Sequence, residues 1–156
     1  MRDEIVYRDS PAFEMLEYYY VSRVEIARIL NVSSSWIDKH FEHQAERIKV
    51  IVIAYYTDEN GEEKEGVQNR YIYYRREHIN YFLSRSYVYK YIQTPDGINR
   101  WVNEPFGAMI DIDDFTKVIP AFEKGRKGGI REKTAVENNY LMFRIGQKRF
   151  YYPRSK

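Results

Sequence analysis

Two groups of polar residues in this chain have the composition that nucleic-acid recognition requires. The first consists of Ser33, Ser34, Ser35 and, one helical turn later, Lys39. Serine hydroxyls and a lysine amine can read base edges in a major groove, and backbone amides at the start of a helix suit a phosphate oxygen. The second is a basic stretch with Glu132 as its only acid, and it contains Lys124, Arg126, Lys127, Arg131 and Lys133. We expect this stretch to face phosphate, the alternative being a solvated loop.

Side chains for catalysis or for a metal site are scarce by comparison. His40 and His43 have a spacing that ligands on one helix can use, but no third ligand stands near them. The sequence contains no cysteine, no H-E-x-x-H motif, no P-loop and no Rossmann glycine pattern. A tyrosine that nicks DNA would also need a histidine cluster to hold a metal ion. We therefore expect no enzymatic activity, no metal site, no cofactor and no small-molecule substrate.

The serines can serve recognition only if a pair of short helices holds them. Ser22 and Glu25 form a capping box, which predicts a helix over 24–30. Asn31 stands where that helix should end, and asparagine tolerates the left-handed conformation of a helix terminus. Ser33 then caps a second helix, which we expect to run to about residue 44. Trp36 on this second helix either fills the core or packs against a DNA sugar.

The spacing of apolar residues indicates that these helices form a helix-turn-helix. With Ala27 where the helices cross, the positions expected to be apolar fall on Ile26, Leu30, Val32 and Ile37, and the remaining one on His40. An ordinary helical hairpin is the alternative. In a helix-turn-helix the second helix lies in the major groove. We therefore predict that its serines and Lys39 contact DNA.

A predicted β-hairpin and a third helix follow. Residues 47–56 and 67–74 are rich in β-branched and aromatic side chains, as strands are, and the polar turn between them contains Asn60-Gly61. Residues 75–83 have the pattern of a short helix. Cations of the hairpin that could reach backbone phosphate are Arg47, Lys49 and Arg70.

The second half of the chain repeats this pattern faintly. Strands are expected at 87–93 and 98–102. The segment 110–119 then matches 21–30 in the types of its residues, although no residue is identical. A partner helix is expected at 130–136 and a hairpin at 140–145 and 148–152. We predict an α+β fold in which two winged helix-turn-helix units, residues 1–86 and 87–156, arise by internal duplication and share one antiparallel β-sheet in a single compact domain. We expect a monomer with an internal pseudo-two-fold axis, whose units meet major-groove faces about 34–36 Å apart.

Two segments carry a resemblance to a known family. Residues 20–33 (YVSRVEIARILNVS), followed by a hairpin and then residues 70–83 (RYIYYRREHINYFL), resemble a winged helix-turn-helix of the excisionase/MerR type. The whole chain resembles TraN-type DNA-binding proteins of Gram-positive conjugative plasmids. The resemblance implies binding to double-stranded DNA and a role as regulator or accessory factor of conjugative transfer or another mobile-element process. Two features depart from the family. The wing tip is acidic, with Asp58, Glu59, Glu62, Glu63 and Glu65, and the presumed recognition helix contains Asp38 and Glu42, so we expect its DNA-facing side to be that of Ser34, Ser35 and Lys39.

Two other functions remain open at the level of the sequence. Tyr71, Tyr73 and Tyr74 could stack on the bases of single-stranded nucleic acid or RNA. Alternatively, the helix-turn-helix is a scaffold within a non-catalytic protein-interaction module of a plasmid or phage assembly. The lack of cysteine, of a long apolar run and of a signal-peptide core at the N-terminus predicts a cytoplasmic protein with no membrane partner.

Overall fold

The computed structural model describes residues 1–84, 88–93, 95–103, 111–113 and 118–153, and these form a mixed α+β fold. The helices of the described residues are α1 (Pro11–Tyr19), α2 (Arg23–Leu30), α3 (Ser34–Phe41), α4 (Arg76–Ser84) and α5 (Glu132–Glu137). The strands are β1 (Arg2–Tyr7), β2 (Tyr20–Ser22), β3 (Arg47–Thr57), β4 (Glu63–Arg75), β5 (Val88–Gln93), β6 (Asn99–Asn103), β7 (Ile119–Pro120), β8 (Leu141–Ile145) and β9 (Lys148–Tyr152).

The first sheet has the strand order β1-β3-β4-β2. Its centre is the predicted hairpin, with β3 and β4 antiparallel and β4 starting earlier than expected, at Glu63. The sequence analysis missed β1, which pairs with β3 in parallel, so this sheet is mixed. Apolar side chains of one sheet face, among them Ile48, Val50 and Val52, pack against Phe13 and Leu16 of α1.

The second sheet contains the strands of the second half, in the order β6-β5-β8-β9-β7, and its pairings are antiparallel. The prediction of one shared antiparallel sheet is therefore wrong, because two sheets are present. The reason is that β1 and β2 already pair with the outer sides of the β3–β4 hairpin. β1 covers residues 48–53 of β3 and β2 covers residues 73–75 of β4, and the strands β5 to β9 pair with one another.

The segment 110–119, which the sequence pattern matches to 21–30, departs from that match at its C-terminal end. Ile112 and Asp113 have 3-10 helical geometry, whereas Val118 and Ile119 are not helical. Residues 110 and 114–117 lie outside the described residues, but Ile119 and Pro120 form β7 and pair with Tyr151 and Phe150 of β9. A residue that precedes proline is disfavoured in a helix, and proline fits an edge strand because it has no amide to donate. The expected partner helix does form as α5, starting two residues later than predicted, and the hairpin β8–β9 forms as expected.

Both halves of the chain contribute to one large cluster of buried side chains. Ile26, Ile37 and Tyr74 from the first half lie in this cluster together with Phe143 and Phe150 from the second. The halves therefore share a core although they do not share a sheet. Among the described residues only the first half contains a pair of consecutive helices joined by a short turn, α2 and α3, and the internal duplication is not confirmed.

Candidate nucleic-acid interface

Local hydrogen bonds set the ends of α2 and α3. The Ser22 hydroxyl accepts from the amide of Glu25 at 3.1 Å, and the Ser33 hydroxyl accepts from the amide of Trp36 at 3.1 Å. Asn31 adopts the left-handed conformation, with φ 53° and ψ 52°. The predicted caps and the predicted turn residue are confirmed, although α3 ends at Phe41 rather than near residue 44.

One half of the predicted capping box has a different partner. The Glu25 carboxylate binds the guanidinium of Arg28. That hydrogen bond is the main cause that lowers the pKa of Glu25.

α2 and α3 pack against each other through side chains that the sequence predicts to be apolar. Ala27 is buried where expected, and the side chains of Ile26, Leu30 and Ile37 are fully buried around it. Because α2 is fixed on one side of α3, the opposite side of α3 is the one that could face a ligand.

The outward face of α3 presents Ser35 and Lys39, both exposed and four residues apart. His43, a further four residues on, is exposed as well. His43 lies in the turn beyond Phe41, the last residue of α3, so helical spacing does not place it on this face; the sequence suggested it only as a metal ligand. Ser34 is half-buried, and the hydroxyl of Ser33 is occupied by its cap hydrogen bond.

The acid on α3 that would repel DNA, Asp38, faces the first sheet. Its carboxylate accepts from Arg23 at 2.6 Å and from the hydroxyl of Tyr74 at 2.6 Å. The pKa of Tyr74 is raised, mainly by burial and secondly by the hydrogen bond to Asp38. Arg47, predicted to contact phosphate, instead lies 3.7 Å from Asp38 and 3.5 Å from Glu42. These contacts neutralise the carboxylate of Asp38 and occupy Arg47.

A third side of α3 packs against the second sheet. The ring of Trp36 lies 5.9 Å from that of Phe150 and 4.2 Å from that of His40, centroid to centroid. His40 in turn contacts Gly146 at the β8–β9 turn, where an added β-carbon would lie 2.7 Å from its Cε1. Trp36 is thus an interface side chain between the halves. Burial, with a smaller contribution from Lys39, lowers the pKa of His40.

The basic stretch of the second half lies beside the helix-turn-helix. The side-chain amide of Asn31 donates to the backbone carbonyl of Lys127 at 3.2 Å, so the loop that also carries Lys124 and Arg126 contacts the turn before α3. The two remaining cations of the stretch lie further along the chain. Arg131 covers the ring of Phe122 at 4.2 Å, and Lys133 is exposed on α5.

Lys49 and Arg70 lie on the same face of the first sheet as Arg47. Lys49 is half-buried and opposite Ile72, and Arg70 is exposed and opposite Ile51. Arg47 contacts the C-terminal part of α3. Lys49 and Arg70 lie further along the same sheet face, at increasing distance from that end of the helix.

Two tyrosines proposed for base stacking have no free ring face. Tyr73 and Tyr74 are buried, on opposite faces of the first sheet, and burial raises the pKa of Tyr73 to about 12. The acidic hairpin tip is ordered around Asp58, whose carboxylate accepts from the amides of Asn60 and Glu62, each at 2.9 Å, and pairs with Lys64.

The described part of the chain holds no cluster of three or more potential metal-ligating side chains. No helix within it combines the length and the apolar character needed to span a membrane. No known protein family, no curated protein and no solved structure matches the chain.

Proposed function

We propose that this chain binds double-stranded DNA and that α3 lies in the major groove. The observation that carries the proposal is the sorting of charge around α3. Lys39 and Ser35 are exposed on its outward face, whereas Asp38 is turned inward and bound by Arg23 and Tyr74. With Asp38 held by Arg23 and Tyr74, the outward face of α3 carries a cation and a hydroxyl and no carboxylate of that helix, and such a face suits phosphates.

The dimensions of α3 fit this role. An α-helix with its side chains is about 10–12 Å across, which the major groove, about 12 Å wide, admits, and the eight residues of α3 span about 12 Å along the helix axis. The hydroxyl of Ser35 and the amine of Lys39 are donors that can reach base edges or phosphate oxygens. Lys49 and Arg70 extend the positive surface along the first sheet.

The biological role we propose is that of a regulator or accessory factor of conjugative transfer or another mobile-element process, in the cytoplasm. This part of the proposal rests on the family resemblance of residues 20–33 and 70–83. The burial of Tyr73 and Tyr74 speaks against the alternative in which they stack on single-stranded bases.

Fluorescence anisotropy with duplex and single-stranded oligonucleotides at several salt concentrations tests the proposal. We expect the duplex to bind more tightly and its affinity to fall steeply with salt, since each neutralised phosphate contributes a slope of about −0.9 in a logarithmic plot. Preference for the single strand would refute duplex binding in favour of base stacking. No binding of either would favour the protein-interaction module.

Lys39→Ala tests the role of α3 directly. With a duplex selected from a random pool, we expect affinity to fall about tenfold, which corresponds to about 1.4 kcal/mol. Lys64→Ala is the matched control, because it removes the same charge from the hairpin tip, where Lys64 pairs with Asp58 at 3.1 Å. Equal affinity of the two variants would show that α3 does not contact DNA.

A further inference from the structure

Residues Glu123–Gly129, which we term the basic loop, form a closed projection from the second half of the chain. Two backbone hydrogen bonds tie its base, from Phe122 to Ile130 at 2.8 Å and from Ile130 to Pro120 at 3.1 Å. At Gly129 a β-carbon would lie 2.8 Å from the Cα of Phe122, so only glycine allows this approach of the two chain segments. The loop is thereby held at its base by backbone contacts.

The charge of the basic loop is strongly positive at its surface. Its one acid, Glu123, lies 3.1 Å from the amine of Lys148, whose side chain is only 8% exposed, and 3.8 Å from Arg126. Lys124 and Lys127 are exposed, and neither forms an ion pair with any described residue. A polyanion is therefore the partner that this surface fits.

The position of the basic loop is set by the turn of the helix-turn-helix. Asn31 caps α2 through its left-handed backbone and at the same time donates its side-chain amide to the carbonyl of Lys127 at 3.2 Å. Gly128 lies against the same amide, since a β-carbon there would be 2.7 Å from the Asn31 Nδ2. α3 begins at Ser34, three residues after Asn31, a reach of about 10 Å at most. This is far less than the 34–36 Å or so that separates two half-sites.

We infer that the basic loop and α3 form one DNA-binding surface, in which the loop contacts the phosphate backbone beside the groove that α3 enters and Asn31 holds it there. This inference rests on the proposed function and revises the expectation of two half-sites. The basic loop takes the position of a wing on the backbone, whereas the hairpin tip carries five acids and stays away from phosphate. The partner of the loop is the sugar-phosphate backbone, without regard to base sequence.

Asn31→Gly separates docking of the loop from folding of the helices. Glycine adopts the left-handed conformation freely, so the end of α2 is retained while the donor to Lys127 is lost. We expect an unchanged melting temperature, a duplex affinity about three- to tenfold lower, and a shallower salt slope. Asn139→Gly is the matched control, since Asn139 also has a positive φ, of 57°, but follows α5. Gly128→Ala approaches the same contact from the loop side and should weaken duplex binding likewise.

Hydroxyl-radical footprinting locates the contact. With Lys124, Arg126 and Lys127 all changed to Ala, we expect loss of protection at phosphates next to the segment that Lys39→Ala affects. A control that removes three cations of the second sheet, Lys90, Arg100 and Arg144, should leave this protection in place.

Three results would overturn the inference. The first is that Asn31→Gly and Gly128→Ala bind duplex DNA with the affinity and salt slope of the wild type. The second is that the triple variant loses phosphate protection one helical turn away from the segment that Lys39→Ala affects. The third is that the footprint of the triple variant is the same as that of the wild type. Failure of the wild-type chain to bind any duplex would instead refute the proposed function, so the two failures are distinguishable.

Discussion

Replacing Asp38 by alanine is expected to destabilise the fold substantially, although Asp38 lies on a helix that we propose to face DNA. Its carboxylate joins three elements, since Arg23 is on α2, Tyr74 on β4 and Arg47 on β3. Removing the carboxylate leaves the Tyr74 hydroxyl without its acceptor and the Arg23 guanidinium without its counter-charge. Another atom of this guanidinium, Nε of Arg23, is already buried without a hydrogen-bond partner in the described structure.

The magnitude follows from the two short hydrogen bonds. Each is 2.6 Å long and involves an ionised group, and such bonds contribute about 1.5–3 kcal/mol each. The side chain of Asp38 is 25% exposed, so water replaces part of the loss and the lower end of that range applies. Alanine returns about 0.5 kcal/mol through its higher helix propensity, which gives a net loss of about 2.5 kcal/mol.

Urea unfolding followed by circular dichroism measures this loss. With a slope of about 2 kcal/mol per molar urea, we expect the midpoint of Asp38→Ala to fall by about 1 M. Asp38→Asn keeps an oxygen acceptor and most of the volume, so its midpoint should lie between those of wild type and Asp38→Ala.

The matched control is Glu25→Ala, which breaks an ion pair whose side chains are 67% and 44% exposed. Exposed pairs contribute about 0–1 kcal/mol, so the midpoint should move little. If Asp38→Ala shifts the midpoint no more than Glu25→Ala does, the reasoning that the carboxylate of Asp38 stabilises the packing of α3 on the sheet is refuted.

Two further predictions concern the contact between α3 and the second sheet. Gly146 has a positive φ of 62° and lies close to His40, so Gly146→Ala should lower the free energy of unfolding by about 2 kcal/mol or more. The control is Gly61→Ala, which isolates the backbone contribution because Gly61 has a φ of 76° and no atom near its β-carbon position. Equal losses of stability in the two variants would contradict a role for the His40 contact. Burial lowers the pKa of His40 below its ordinary 6.5, so the folded state favours the neutral ring. The stability that the neutral ring contributes is complete above about pH 6.5 and is lost as the pH falls through the folded-state pKa. His40→Gln should therefore lose less stability than wild type in urea unfolding between pH 7.5 and pH 5, and parallel losses would argue against this linkage.

The elements that the sequence predicted well are those fixed by neighbours in the chain. Ser22 and Ser33 cap their helices through bonds to amides three residues away, and the hairpin β3–β4 closes through a short polar turn. The departure of 110–119 from its match to 21–30 also had a local warning in Pro120, since the preceding residue is disfavoured in a helix. β1 was missed because its first three residues are charged, which leaves a run of only three residues, Ile5 to Tyr7, that is typical of a strand.

The candidate site was only partly predictable for a different reason. The sequence identified Lys39 and the basic stretch but assigned them to separate units of a duplicated fold. It gave Arg47 a phosphate contact because nothing in a strand pattern reveals that carboxylates of α3 lie 3.5 Å and 3.7 Å away. A cation available for a ligand and a cation held in an ion pair look the same in a sequence.

The amino-acid sequence alone thus determined the helix pair α2–α3: its caps, its left-handed turn at Asn31 and its buried contact at Ala27. Only the tertiary structure decided which side chains of α3 remain free and that the basic loop lies beside the turn. The physical reason is the range of the interactions involved. A cap depends on a hydrogen bond across three residues, whereas the bond from Asn31 to Lys127 joins positions 96 residues apart and depends on the packing of both halves around one core.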